Sequence, residues 1–297
     1  MQETEVWAAI SRHVENVSGR RFVIARRASA GGGCINAAHV VQGQDGSRYF
    51  IKLNDAAHAD MFAAEHDGLM EIRRSATLRV PEPVCHGVAG RHAYLVLEHL
   101  ELGRGHAGCA ARLGRDLAAM HHHTRDGYGW HRDNTIGTTP QQNGTLRDWP
   151  AFWQQRRIGF QLELATRAGY SRLAGPGERL LEALPVLFGD HRPAASLLHG
   201  DLWSGNQACC ADGTPAVYDV AVYYGDRETD LAMTELFGRF PEAFYAAYRE
   251  AWPLPPGYAL RRDIYNLYHV LNHLNLFGGA YLAEAEDMIR RLLANAN

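Results

Sequence analysis

The chain has 297 residues, 46% of them apolar and 21% charged, and a net charge of −3. That length allows one large core or two lobes, and the composition is that of a folded chain with little disorder. A near-neutral balance without a basic block argues against nucleic acid as a partner, and no apolar run of about 18 or more residues could span a membrane.

The first twenty residues mix charges with helix-spaced apolar positions, so they do not read as a signal peptide, and a cytoplasmic protein is expected. Five cysteines (Cys34, Cys85, Cys109, Cys209, Cys210) are odd in number and lack C-x-x-C spacing. They indicate neither a disulfide framework nor a zinc site.

Residues 4–17 carry Val6, Ile10 and Val14 at spacings of four, which predicts an amphipathic helix. Two strand-like runs follow, RFVIARRA and AAHVVQGQ, joined by a turn that contains Gly31, Gly32, Gly33 and Cys34. A Gly-rich turn between strands can cover phosphates with backbone N–H groups, although any tight hairpin can use glycines. In SRYFIKL, period-two alternation sets Lys52 on the face opposite Ile51 and Leu53. Lys52 reads either as a solvated edge lysine or as a phosphate-holding strand lysine. The helix over 59–75 favours the second reading. Phe62, Glu65, Leu69 and Ile72 share one stripe, and a carboxylate on an apolar face calls for a cationic partner.

Two more strands, VPEPVCHG and AYLVLEHL, end at Glu98-His99-Leu100. Beyond residue 101 the pattern turns helical, and the expected division is 1–100 and 101–297. A helix over 108–124 ends in His121-His122-His123. Successive helical residues point about 100° apart, so the three cannot face one ion, and an exposed helix end is expected. GYGWHRDNTIGTTPQQN (127–143) is rich in Gly, Asn, Thr and Pro and predicts a long loop, either functional or simply superficial. Helices over 149–165 and 176–188 lead to a short strand and LLHGDLWSGN (197–206).

Asp201 and Asn206, five apart on a polar loop after a strand, have the spacing of the catalytic loop in protein-kinase-like phosphotransferases. Downstream, Asp212-Gly213 predicts a two-residue hairpin turn that would set Asn206 opposite Asp219. An amide oxygen and a carboxylate would then meet as hard ligands for Mg²⁺. Only ten residues separate Asp219 from Asp230, too few for the activation segment of a protein kinase.

LLHGDLWSGN with the following YDVAVYYGDRE closely resembles the fructosamine kinase (ketosamine kinase) family. HGDxxxxN is shared with aminoglycoside and choline kinases, whereas the LWSGN filling is specific to the family. GGGCIN and LNHLNLFG are similar to the family as well, so the resemblance runs from Gly31 to about Leu293. Val220 stands where the family usually has Pro.

The resemblance implies an α/β (α+β), two-lobed kinase-like fold: an N-lobe of antiparallel sheet with a helix, and a mainly helical C-lobe. It implies ATP and Mg²⁺, and phosphorylation of the 3-hydroxyl of ketosamines (fructosamine, ribulosamine or erythrulosamine), free or on glycated protein lysines, in protein deglycation. Monomer and weak homodimer are both compatible. Lys52, held by Glu65, would take the α- and β-phosphates, and Asp201 would orient the hydroxyl. Gly31, Gly32, Gly33 and Cys34 would cover the phosphates, with Cys34 the most readily oxidised thiol or an inert turn residue. The backbone at Glu98 and Leu100 would meet adenine, and Asn206 and Asp219 would hold Mg²⁺. Asp230 would bind the catalytic-loop backbone. Trp203 reads as a sugar-packing wall or a core plug. Asn134 on the long loop, and His273 beside His269 and Asn272, read as acceptor-facing or as packing. The alternatives are a kinase of aminoglycoside or choline type and a nucleotide-binding pseudokinase.

Overall fold

Helix α1 (Gln2–Ser18) forms where Val6, Ile10 and Val14 recur, and all three are buried. The computed structural model describes residues 2–31, 35–103 and 105–296. Gly32, Gly33 and Cys34 of the expected phosphate turn lie outside the described residues.

Strands β1 (Ile24–Ala30), β2 (Ala37–Gly43) and β3 (Arg48–Asp55) form a meander, then helix α2 (Ala59–Ser75) precedes β4 (Pro83–Ala89) and β5 (His92–Glu98). The sheet order is β1-β2-β3-β5-β4, every neighbour antiparallel. Helix α1 lays Val6, Trp7 and Ile10 in one core with Val41, Ile51 and Val96. Each such side chain removed from water contributes about 1.5–3 kcal/mol. On α2, Phe62, Leu69 and Ile72 are buried as the stripe predicts.

The chain divides into two compact units, but not by one cut at residue 100. The first is Met1–Cys109 together with Ala208–Asp219. The returning segment belongs to it through its backbone: Gly103 N donates to Cys209 O (2.8 Å), Ala211 N to Glu101 O (2.7 Å) and Val217 N to Arg79 O (2.9 Å). A disulfide joins Cys109 to Cys209 across 100 residues of sequence, which corrects the expectation of none. A cross-link closing so long a loop constrains the unfolded chain strongly, typically contributing about 2–4 kcal/mol.

The second unit is Ala110–Gln207 with Val220–Asn297. Helix α3 (Cys109–His121) runs into β6 (Thr124–Arg125), β7 (Tyr128–Trp130), β8 (Asn134–Ile136), β9 (Thr139–Gln141) and β10 (Gly144–Leu146). The stretch 127–143 is therefore not a loop but a set of three-residue strands, too short to show a period. Gly129 (φ +108°) permits this: a Cβ there would lie 1.7 Å from Gly144 O.

Helices α4 (Trp149–Phe152) and α5 (Gly159–Arg167) are joined by a π-helical turn over Trp153–Ile158, and α6 (Ala174–Phe188) follows. Then come β11 (Ala195–Leu198), β12 (Gln207–Cys209), β13 (Pro215–Val217), β14 (Tyr223–Gly225), α7 (Glu228–Leu236), α8 (Glu242–Ala251), α9 (Tyr258–Phe277) and α10 (Leu282–Ala294). A second sheet has the order β10-β7-β14-β11-β6. Helix α9 buries Ile264, Tyr265, Leu267 and Leu271, and the Tyr265 hydroxyl accepts from Trp149 Nε1 (3.0 Å). Among the described residues no helix is long and apolar enough to cross a membrane.

Candidate active site

In the first unit three side chains converge. Lys52 Nζ donates to Glu65 Oε1 (2.6 Å) and to Asp219 Oδ1 (2.5 Å). Strand β3 aims Lys52 at α2 because the alternate residues Ile51 and Leu53 fill the other face. Burial works against the ammonium charge, but Asp219 and Glu65 outweigh it and hold Lys52 above the usual lysine range. Burial pushes Glu65 up, Lys52 opposes this, and Asp219 adds to it.

Asp219 is the exposed member, its side chain 48% accessible against 7% for Lys52 and 10% for Glu65. It adopts φ +58°, one of two described non-glycine residues with positive φ. Asp tolerates that region better than most side chains, and such backbone is common at functional sites.

The hairpin leading to Asp219 turns differently from the expectation. Cys210 N donates to Thr214 O (2.8 Å), with Gly213 at φ +83°. The turn thus has three residues, and Cys210 lies opposite Thr214 where a two-residue turn would place Pro215. The register that was to face Asn206 with Asp219 is off by one.

Glu98, expected at the adenine, spends its carboxylate on Arg79 and on Glu82 N (3.1 Å), and its own N–H on Glu82 O (2.8 Å). Leu100, just past β5, has no such bond among the described residues.

The loop expected to be catalytic, 199–206, lies in the second unit. Asn206 Nδ2 donates to Asp201 O (2.9 Å) and Oδ2 (3.1 Å), which turns the Asn206 amide oxygen away from Asp201. Asp230 receives His199 N (2.7 Å) and Gly200 N (2.8 Å), the backbone bond that the kinase-like resemblance implies. Gly200 (φ +84°) admits no other residue, since a Cβ would lie 2.0 Å from Ala221 O.

Behind Asp230 is a relay that sequence reasoning missed. His121 is wholly buried, not at an exposed helix end; its Nε2 bonds Asp230 Oδ2 (3.1 Å) and its Nδ1 bonds the Tyr248 hydroxyl (2.8 Å). Arg227 Nη1 donates to that hydroxyl (3.1 Å). Asp230 can only accept, so Nε2 carries the proton and Nδ1 accepts from Tyr248. Burial pushes His121 down, against the opposing bond and charge of Asp230. Burial also opposes the Asp230 charge, but bonds from His121 and the loop amides hold it below the ordinary carboxylate range. The single buried position in HHH follows from helix phase: His122 and His123 fall outside the stripe of Leu113, Leu117 and Met120.

Trp203 is half-buried, its ring covering Gly205, where a Cβ would lie 2.4 Å from the indole. His273 is half-buried among Phe237 (4.4 Å), Phe277 (5.4 Å) and Tyr281 (5.2 Å), and its Nδ1 bonds His269 O (2.8 Å). Asn134 is buried, its Oδ1 accepting from Gln141 (2.9 Å) and Asn143 (2.9 Å) and its Nδ2 donating to Val222 O (2.8 Å). A His191–Asp226–Glu228 cluster has metal-like spacing, but Arg261 takes both Glu228 oxygens and Tyr265 and His191 occupy Asp226. It is a closed ion-pair network.

His269 is 4% exposed, and burial pushes its pKa down to about 3. The unfolded chain takes a proton near pH 6.5 that the folded chain refuses, so this contribution is complete above pH 6.5 and falls as pH drops toward 3. Between pH 7 and 5 the expected loss is about 2 kcal/mol. Urea unfolding at both pH values checks this, and His269→Gln should flatten the slope by that amount.

A small antiparallel sheet with a Lys–Glu pair, a largely helical unit, and a strand-borne HGDxxxxN loop anchored by a buried Asp define a protein-kinase-like phosphotransferase. Nearly the whole chain, residues 6–295, matches the fructosamine kinase family, and the chain belongs to that family. It is 46% identical over 289 residues to a probable ketoamine kinase of Synechocystis, covering 97% of each. It is 41% identical over 284 residues to a chloroplastic protein-ribulosamine 3-kinase of Oryza sativa, covering 93% of this chain and 82% of that one. Among solved structures, a candidate fructosamine-3-kinase from Haemophilus somnus superposes with a TM-score of 0.90 at 27% identity, over 98% of this chain and 99% of that one. An aminoglycoside phosphotransferase, at 16% identity and a TM-score of 0.61 over 98% of each chain, shares the fold.

Proposed function

We propose that this chain transfers the γ-phosphoryl group of ATP to the 3-hydroxyl of a ketosamine, with fructosamine, ribulosamine or erythrulosamine as the sugar. The carrier is a small amine or a glycated protein lysine. The observation that carries the reading is the buried Lys52 ammonium between Glu65 and Asp219, in a chain whose catalytic loop reads HGDLWSGN. One buried cation held by two carboxylates leaves a net negative charge, which suits a site that receives a divalent cation together with a nucleotide's phosphates.

Each donor taken by itself is suited to a divalent ion. Asp219 is half-exposed with one oxygen on Lys52, leaving the other as a hard ligand, and the Asn206 amide oxygen is directed away from Asp201. Asn206 and Asp219 would hold Mg²⁺, which when bound neutralises phosphate charge. Lys52 grips the α- and β-phosphates, and Glu65 keeps its ammonium in register. The Leu100 backbone meets the adenine edge.

Asp201 accepts a hydrogen bond from the acceptor hydroxyl, sets its lone pair toward the γ-phosphorus, and takes the proton as the new O–P bond forms and the bond to ADP breaks. Asn206, bonded to Asp201 through Nδ2, fixes the carboxylate plane. Positioning and charge supply the rate. The 3-phosphate so made is labile: inorganic phosphate leaves from C3 by elimination with loss of a C1 proton. Water then hydrolyses the resulting imine and frees the amine, which is the deglycation step. Trp203, half-buried beside Asp201, supplies an apolar wall for the sugar.

A substrate panel scored by phosphate transfer from ATP tests the reading. Ribulose- and fructose-lysine should be phosphorylated far better than ribose, kanamycin or choline. Trp203→Ala should raise KM for the ketosamine and leave KM for ATP within about twofold. Preferential turnover of kanamycin or choline would move the chain to another substrate class.

A further inference from the structure

Arg157 is wholly buried in the second unit, yet among the described residues it pairs with no carboxylate. Its guanidinium donates to neutral acceptors only: Nη1 to Gln142 O (2.6 Å) and Arg156 O (3.0 Å), Nη2 to Asn143 Oδ1 (2.9 Å). It lies over the Tyr223 ring (4.1 Å) and the Phe152 ring (4.5 Å). Burying a lone cation is expensive, and a leucine or methionine would fill this space without that cost. The π-helical turn that contains Arg157 is itself a rare element, found mostly at functional sites.

The bonds run onward from Arg157. Asn143 Nδ2 donates to Asn134 Oδ1 (2.9 Å), and Gln141 Nε2 donates to the same oxygen (2.9 Å) and to Ala221 O (3.0 Å). Asn134 Nδ2 donates to Val222 O (2.8 Å), and the Tyr268 hydroxyl donates to Gln141 Oε1 (2.8 Å). All four of these side chains are at least nine-tenths buried. The network ends on Ala221, whose N–H donates to His199 O (2.8 Å) and whose carbonyl is the atom that excludes any Cβ at Gly200. His199 and Gly200 directly precede Asp201.

We propose that Gln141 and Asn134, fixed by Arg157, Asn143 and Tyr268, are positioning residues for phosphate transfer. They hold the Ala221-Val222 backbone against which His199-Gly200 is seated, and so set the height of the Asp201 carboxylate. Asp230 anchors the same two loop residues through their N–H groups, and this network anchors them through the segment that enters β14. The amide of Asn134 is spent inside the protein, so its part in the reaction is scaffolding and not contact with the acceptor. The inference rests on the reading of Asp201 as the carboxylate that orients the hydroxyl.

Steady-state kinetics on Gln141→Met, which keeps the volume and removes both donors, tests it. A small displacement of a reacting group costs up to about 10²-fold, so kcat should fall about 10–100-fold while KM for ATP and for ribulose-lysine stays within about twofold. Thermal unfolding of the same sample must lie well above the assay temperature. Tyr268→Phe deletes only one bond of the network and serves if Gln141→Met does not fold; its kcat should fall about three- to tenfold with both KM values unchanged. An unchanged kcat in the folded variants overturns the inference, as does a loss that only tracks reduced thermal stability. Asp201→Asn assayed alongside separates the two readings. If it abolishes transfer while the network variants do not, the network is merely structural; if it too remains active, the role of Asp201 fails first.

Discussion

Asp201→Asn should leave ATP binding close to that of the unaltered protein while phosphate transfer falls about 10²–10⁴-fold. The amide is nearly isosteric and loses no contact needed by the nucleotide, whose expected grip is Lys52, held at 2.6 Å by Glu65. What disappears is the proton acceptor at the hydroxyl. Asn206 Nδ2, 3.1 Å from Asp201 Oδ2, can still donate to an amide oxygen, so the loop should keep its shape. Nucleotide titration by fluorescence together with transfer assays separates the two effects. Retention of most of the activity would remove Asp201 from the mechanism, and loss of ATP binding would show that the substitution disturbed more than the hydroxyl site.

The ion pair of Lys52 with Glu65 was legible because two independent periods predict it. Alternation in SRYFIKL turns Lys52 away from Ile51, and the i, i+3, i+4 stripe of α2 puts Glu65 among buried side chains. The strands of the first sheet were legible for the same reason. What escaped the sequence is whatever depends on a single residue of phase. The hairpin before Asp219 closes through three residues instead of two, and Asp212-Gly213 is compatible with either turn. Arg157 continues the four-residue spacing of the buried Trp149 and Trp153, but a guanidinium on such a stripe reads as reaching for solvent, and nothing in the sequence says that it stays inside.

The strands of 127–143 are three residues long, and Gly, Asn and Gln there read as loop although they form a buried hydrogen-bonded network. The disulfide had no local signature at all. Cys109 and Cys209 meet because the segment after β5 and the strand after the catalytic loop run side by side, a fact of tertiary path. His121 was hidden by its two neighbours, since three identical residues on a helix end carry no mark of which one turns inward.

Lys52→Met and Asp219→Asn should each reduce transfer by about 10²-fold or more, and differ in what restores it. Asp219 stands at φ +58°, a conformation that Asn tolerates as well as Asp, so the substitution alters charge with little change of backbone. It removes the charge of the proposed metal ligand and weakens the bond to Lys52 Nζ, now 2.5 Å. Raising Mg²⁺ should therefore recover part of the rate by mass action, because a weaker site is filled at higher concentration. Lys52→Met removes the proposed phosphate contact, which no metal ion would replace, and it strands Glu65, 10% exposed, without its cation. Burial then drives Glu65 to take up a proton. That variant should ignore Mg²⁺ and show a raised KM for ATP. Transfer measured across Mg²⁺ concentrations at saturating ATP distinguishes the two. Equal insensitivity to Mg²⁺ would refute the assignment of Asp219 as a ligand, and recovery of the Lys52 variant by Mg²⁺ would refute the separation of roles.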